Sequence, residues 1–475
     1  METKYVVFLV GLMGVVPIAV LCVMISRRLH EAVFFAIVFG TVLKGEMDVN
    51  FVSREFYRGS SRGFEFSFVD LLGIVLLVST LLKLSKNHGR RLWPPSFTLM
   101  SVYFFWCCLS VASADPKLFG CFELVKLIKA MTLFLAVFLF VQGKREIAIL
   151  TLALCACVLY AFLVAVVQRY AYGGWRVPGP FGHPCEFSMY VNLVAPVLIA
   201  AAVSELPKAI RWICAFCAGM AGLCVIFTIS RTGFATYVLI LFATLILLFP
   251  RRLSPKHLVI GVAITIVSVG VLARAWDTLA NRLFAVTLSE EFLDSEYDGR
   301  GRYFRMITQI VPDFPLWGMG LNNWSYITTR DYPVAFRARP EPYNGTSAIP
   351  PSLSNQEVPA HNILVLTLGE LGIPGLLMFC AVWARWIQMG AHFLHRRSAD
   401  LYSRFGTGVL FAFGAIFLES MTSPSSRNIP AFYLTYILSG TLASVYCLST
   451  KESRNSCVRT QKIEPFVHMH LPLSP

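Results

Sequence analysis

The chain has 475 residues, of which 56% are hydrophobic and only 14% charged, with a mean hydropathy of +0.63. A soluble domain carries roughly 25% charged residues, so the composition excludes an ordinary water-soluble globular protein. The net charge of +14 comes without an aromatic-studded basic patch, which argues against a nucleic-acid partner and for Lys and Arg sorted to one side of a membrane.

Apolar runs fall at residues 5–25, 32–43, 68–84, 97–114, 124–141, 147–167, 187–203, 210–229, 234–249, 258–273, 363–386, 406–418 and 431–448. Their length and spacing predict an all-α polytopic membrane protein with about 12–13 transmembrane helices. The first run lacks a strongly basic leader and a small-residue cleavage site, so it reads as a retained helix. The pattern divides the chain into an N-terminal helical region with its first outer loop (1–114), a transmembrane core (115–275), one large polar loop (276–361), C-terminal helices (362–449) and a polar tail (450–475) expected to be disordered.

The loops alternate. One set is short and basic: Arg27-Arg28, Lys83 to Arg91, Lys144-Arg145, Lys208 with Arg211, Arg251 to Lys256, and Arg396-Arg397. The other set (45–67, 115–122, 168–186, 230–233, 276–361 and 419–430) carries mixed charge, glycine, proline and aromatics. The positive-inside rule assigns the basic set to the cytoplasm, with the N-terminus outside, the C-terminus inside and the large loop outside. The 13 cysteines lie mostly in apolar runs, and the Cys214/Cys217 C-x-x-C has no second pair. They read as packing residues, and neither a metal site nor a cofactor is expected.

Every unusual polar motif falls in the outer set. Thr228-Ile-Ser-Arg-Thr-Gly-Phe234 joins two membrane helices almost without a loop. Arg231 then stands at a helix N-terminus, either binding phosphate through its guanidinium fork and the free N–H groups or snorkelling to headgroups. Gly299-Arg300-Gly301-Arg302-Tyr-Phe-Arg305 precedes a short amphipathic stretch ended by Pro312 and Pro315. Arg302 and Arg305 are spaced to share a helix face, as an anion clamp or as interfacial anchors. The large loop contains arginines and no lysine, which suits gripping an oxyanion.

His361-Asn362 opens the next apolar run. A histidine there has its cationic form disfavoured by the helix dipole, and it is either a general base or a polar cap. Arg176 and His183 lie in a proline-rich turn, as cavity lining or turn chemistry, and His183 lacks neighbouring ligands for a metal. Lys126 and Lys129 either pair with Glu123 or add positive charge to a cavity. Trp317, Trp324 and Tyr326 offer faces on which a sugar can stack. Glu370 is a carboxylate within a membrane helix and needs a partner.

Taken together, Ser230-Arg231, Gly299-Arg300 with Arg302, and His361-Asn362 stand in order on one side of a membrane. With Pro315-Leu-Trp-Gly-Met-Gly-Leu321 and Leu368-Gly-Glu-Leu-Gly-Ile-Pro-Gly375, this resembles the O-antigen ligase and polymerase superfamily of bacterial envelope glycosyltransferases, over roughly residues 115–448. The resemblance implies a GT-C-like fold in the bacterial inner membrane and a polyprenyl-diphosphate-linked glycan donor. It implies a glycan or lipid acceptor and metal-independent transfer on the periplasmic face. Arg231 matches the family's hairpin arginine, His361 its loop histidine, and Arg300 or Arg302 its loop arginine. The family commonly begins inside with one helix fewer, a departure confined to the N-terminal region. Two other classes remain open: a transporter or flippase of lipid-linked glycans, which would want ionisable groups at the bilayer midplane, and a non-catalytic subunit of a polysaccharide assembly complex.

Overall fold

The computed structural model of the chain describes residues 3–43, 49–54, 57–84, 92–248, 280–281, 300–332, 356–394 and 400–463. The expected apolar run at 258–273 and the basic groups Lys86 to Arg91, Arg251 to Lys256 and Arg396-Arg397 lie outside the described residues, as does the large loop apart from 280–281, 300–332 and 356–361.

The protein is an all-α polytopic membrane protein. Its first helices, α1 (Thr3–Val10) and α2 (Val16–Ile25), are joined by a π turn. Next come α3 (Arg27–Gly40), α4 (Phe68–Leu84), α5 (Phe97–Ser113), α6 (Lys117–Phe140), α7 (Lys144–Val166), α8 (Pro184–Ala202), α9 (Lys208–Thr228) and α10 (Arg231–Leu248). The large loop supplies α11 (Gly301–Asp313) and α12 (Trp324–Asp331), and α13 (Ile363–Ala391), α14 (Leu401–Ser420) and α15 (Ile429–Ile463) complete the chain. Among the described residues, seven helices are long and apolar enough to cross a membrane. The 24-residue α6 is long enough, but its interior carries Glu123, Lys126 and Lys129, and α4 and α5 have 17 residues each.

Three differences from the sequence reading have local causes. The short run at 32–43 is the end of α3, which starts at Arg27 because Ser26 accepts a hydrogen bond from the Leu29 amide. The first outer loop contains a small antiparallel hairpin, β1 (Val49–Phe51) with β2 (Phe64–Phe66), held by aromatic contacts of Phe51 and Phe66 with Tyr5 and Phe8 of α1. The polar stretch after Thr450, expected to be disordered, continues α15 to Ile463. Extending an existing helix avoids a new nucleus, and its Lys, Glu, Arg and Gln residues are good helix formers.

The bundle is organised around α8, buried at every position from Phe187 to Ala201. It packs between α9 and α14. Gly408 of α14 lets the two backbones meet, since a Cβ there would lie 3.0 Å from the Pro196 carbonyl. Gly440 of α15 plays the same part against the Phe134 carbonyl of α6.

Among the described residues, the loops gather at two ends of this bundle. At one end Arg27 pairs with Glu31 and Glu146, Arg145 with Glu31, and Lys144 with Glu205. The other end gathers the N-termini of α8, α10 and α13, the C-termini of α9 and α14, and the helices of the large loop.

Candidate active site

The hairpin between α9 and α10 is closed by its own residues. Ile229 takes the left-handed conformation (φ 47, ψ 39) that ends α9. The Ser230 hydroxyl accepts from the Gly233 amide at 3.3 Å, capping α10 and setting Arg231 in its first turn. Arg176 donates to the Thr228 carbonyl at 3.3 Å, and the Val177 amide to the Phe227 carbonyl at 3.1 Å. Arg176, open as cavity lining, therefore supports the end of α9. His183 is the N-cap of α8: its Nδ1 accepts from the Cys185 amide at 3.1 Å, and Cys185 Sγ lies 3.9 Å from the Ser230 hydroxyl.

Behind the hairpin lies a buried polar cluster. Glu419, near the end of α14, accepts from the Ser188 hydroxyl at 3.0 Å and from the Asn192 side-chain amide. Asn192 also donates to the Gly233 carbonyl at 2.9 Å. One asparagine thus ties the start of α10 to the end of α14. Just past that end, the Met421 carbonyl accepts from Asn362 at 3.3 Å. Arg231 and His361 therefore belong to the same end of the bundle.

Asn362 settles what His361 does locally. The Asn362 Oδ1 accepts from the Leu364 and Val365 amides at 3.0 and 3.1 Å, so Asn362, and not His361, caps α13. The imidazole turns instead to α11, where its Nδ1 lies 3.3 Å from the Tyr303 hydroxyl and the two rings meet edge to face at 5.6 Å. Burial, then the charges of Arg300, Arg302 and His183, lower the His361 pKa from 6.5 to about 4. The ring is neutral at pH 7, as expected at a helix start, but the causes are burial and neighbouring cations.

Arg300 is the N-cap residue of α11. Arg302 pairs with Glu357 at 2.8 Å and donates to the Tyr303 hydroxyl at 3.1 Å. Arg305 faces outward from the same helix. Glu357 thus draws Arg302 inward, while Arg305 is exposed. Glu357 is held in turn: its amide donates to Thr329 Oγ1 at 3.0 Å, and Gln356 beside it accepts from the Arg58 amide at 3.1 Å.

The two glycine-rich motifs of the sequence are each other's partners. At Gly372, α13 breaks (φ 69, ψ −175), two residues before Pro374. The chain from Pro315 to Gly320 docks on that break. The Met319 and Gly320 amides donate to the Gly369 and Glu370 carbonyls at 2.8 and 3.0 Å, and the Ile373 amide donates to the Pro315 carbonyl at 3.0 Å. These bonds satisfy backbone groups that the kink exposes inside a membrane protein. From α5, Trp106 donates to the Leu371 carbonyl at 3.0 Å, and the Ser110 hydroxyl lies 2.8 and 3.0 Å from the Trp317 and Glu370 carbonyls. Trp317 stacks on Trp106 at 4.4 Å and stays partly exposed. Trp324 is 1% exposed, with Gly369 directly against its ring. It is therefore a core residue and offers no face to a sugar.

Neither Lys126 nor Lys129 of α6 adds loose charge to a cavity. Lys126 is buried between Glu123 at 2.7 Å and the Arg427 carbonyl at 2.9 Å. Lys129 pairs with Asp70 at 3.1 Å and lies over the Phe66 ring. A buried ammonium is costly unless paired in this way. Arg427 in turn forms an ion pair with Glu370, the partner that carboxylate required. Cys214 is buried 3.8 Å from Cys155 of α7, in keeping with packing. Among the described residues, no group of three His, Cys, Asp or Glu side chains is arranged to hold a metal ion.

Sequence reasoning missed Tyr303, Glu357, Glu419 and Arg427. The available signals were slight: a carboxylate four residues before His361, a tyrosine next to Arg302, and charges just inside or beside helix ends.

Residues 215–380 match the family model described as O-antigen ligase, so this part of the chain is similar to the O-antigen ligase/polymerase superfamily. The matched segment runs from within α9, through the hairpin and the large loop, into α13, and it includes Arg231, Arg300, Arg302 and His361. Comparison with curated proteins gives no match.

Proposed function

We propose that the chain is a metal-independent, GT-C-type glycosyltransferase of the bacterial inner membrane. It transfers or polymerises glycan from a polyprenyl-diphosphate-linked donor onto a sugar hydroxyl of a glycan or lipid acceptor at the periplasmic face. The observation that carries this reading is the half-buried imidazole of His361, its pKa held low beside the charges of Arg300 and Arg302, at the bundle end that holds Arg231. The site end lies opposite the basic loop end, and this supports a periplasmic site under the positive-inside rule.

In the reaction, the acceptor oxygen attacks the anomeric carbon while His361 takes its proton. The bond from the anomeric carbon to the diphosphate breaks, and the bonding pair leaves with the phosphate. Arg231, at the N-terminus of α10, holds the leaving charge from one side. Arg300 holds it from the other, and its charge bears on His361 more than that of Arg302, which Glu357 partly neutralises. Trp317 remains the aromatic face open to a glycan. The polyprenyl chain lies among the surrounding membrane lipids.

Membranes containing His361→Ala, Arg231→Ala or Arg300→Ala, supplied with lipid-linked donor and acceptor, are expected to lose glycan transfer. Activity is expected to persist with a metal chelator. Undiminished transfer by His361→Ala would remove the base, and product formed only when a transmembrane gradient is applied would favour a transporter.

A further inference from the structure

We infer that Tyr303 and Glu357 set the tautomer of His361, so that its proton sits on Nδ1 and its Nε2 is the bare nitrogen facing the acceptor hydroxyl. The inference rests on the proposed role of His361 as the base, and it makes Tyr303 and Glu357 positioning residues for that reaction.

The Tyr303 hydroxyl has three polar neighbours: Arg302 Nη2 at 3.1 Å, His361 Nδ1 at 3.3 Å and Glu357 Oε1 at 3.4 Å. A phenol has one proton to donate, a guanidinium only donates, and an ionised carboxylate only accepts. The Arg302 bond must therefore end on the phenol oxygen. The single phenol proton goes to Glu357, whose carboxylate charge is kept by Arg302 at 2.8 Å. What remains for His361 is to donate Nδ1–H to the same oxygen. A neutral imidazole has one N–H, so Nε2 keeps its lone pair. The reverse arrangement, with the phenol proton on Nδ1, would leave the carboxylate without the tyrosine and put the imidazole proton on Nε2, where no base could act.

The surroundings hold this arrangement in place. Tyr303 is 1% exposed, packed between the His361 ring and Trp324. Burial and Glu357 raise its pKa to about 12, so it remains a phenol at neutral pH. Glu357 is pinned through Thr329. Among the described residues, the charged and titratable groups around the imidazole are Arg300, Arg302, His183, Tyr303 and Glu357. When Nε2 takes the acceptor proton, the new imidazolium charge is met by the line from Nδ1–H through the phenol to the carboxylate. No other proton need move.

The test uses the full-length protein in lipid nanodiscs with nitrogen-15-labelled histidine, the His361 signals being those lost in His361→Ala. The wild type is expected to show a protonated Nδ1 and a bare Nε2 at pH 7. Tyr303→Phe keeps the packing and removes the hydroxyl, and it is expected to shift the ring toward Nε2–H. Transfer is then expected to fall roughly 100-fold, the low end of what a general base contributes, with the donor KM unchanged. Glu357→Gln is expected to act likewise, and Glu357→Asp to restore much of the loss. A wild-type spectrum with Nε2–H would overturn the inference, as would a Tyr303→Phe spectrum unchanged from wild type. Transfer that survives His361→Ala alongside the expected spectrum would instead remove the base role while leaving the tautomer assignment standing.

Discussion

Arg427 and Glu370, 57 residues apart in the chain, form an ion pair of 2.5 Å with both side chains almost fully buried. The pair joins the turn before α15 to the segment of α13 just above its break. Glu370 also gives its carbonyl to the docked loop at Gly320. One residue thus couples the charge cluster to the motif that shapes the large loop.

Removing one member of this pair strands the other in an apolar setting. Arg427→Ala is expected to destabilise the purified protein by about 3–5 kcal/mol, read as a lowered unfolding midpoint in detergent. Replacing both residues by leucine should recover much of that loss, because the desolvation cost disappears with the charges. A single variant within about 1 kcal/mol of wild type would be incompatible with a buried, mutually dependent pair.

Gly372 has backbone angles that only glycine adopts readily, and an added Cβ would sit 2.1 Å from the Leu316 carbonyl. Gly372→Ala is therefore expected to cost about 3 kcal/mol or more and to release the 315–320 segment. Release should appear as a red shift of tryptophan emission as Trp317 leaves Trp106. Gly219→Ala in α9, where a Cβ meets nothing within 4 Å, is the control. It is expected to be neutral or to stabilise by up to about 1 kcal/mol.

Asn192 is the bridge between Glu419 and the Gly233 carbonyl. Asn192→Ala leaves that carbonyl without this donor, at an expected cost of about 1–3 kcal/mol. Because Gly233 is two residues from Arg231, the same change should raise the donor KM more than it lowers kcat. Loss of stability with unaltered KM would separate the cluster from the site.

The pH behaviour follows from His361. Its pKa is 6.5 in an exposed setting and about 4 here. Between these values the unfolded chain binds a proton that the folded protein does not. Stability therefore declines as the pH falls from about 6.5 to 4 and loses nothing more from this group below that. Wild-type transfer should hold its rate down to about pH 5 and drop near pH 4. Arg300→Gln removes one of the charges that depress the pKa, so the titration of the His361 ring, read from its nitrogen-15 signals, should move upward toward 6.5. An acid limb already at 6.5 in the wild type would mean that the working imidazole is not held as it is in this structure.

Much of the fold was legible in the linear sequence. Apolar runs and basic loops report the transfer of contiguous residues into lipid and the sorting of nearby cations, and both effects add up along the chain. The order Arg231, Arg300, Arg302, His361 could be read for the same reason. So could the need of Glu370 for a partner, since an unpaired carboxylate in a membrane helix is costly wherever it occurs.

The tertiary structure alone decided who pairs with whom. It gave Arg302 to Glu357, the α13 cap to Asn362, and the imidazole to Tyr303. It turned Trp324 and Lys126 from candidate ligand contacts into buried structure, and it docked Pro315–Gly320 onto the break at Gly372. Each of these outcomes depends on burial and on satisfying hydrogen bonds between segments tens to hundreds of residues apart. Residue type and spacing carry no record of which distant group will be there.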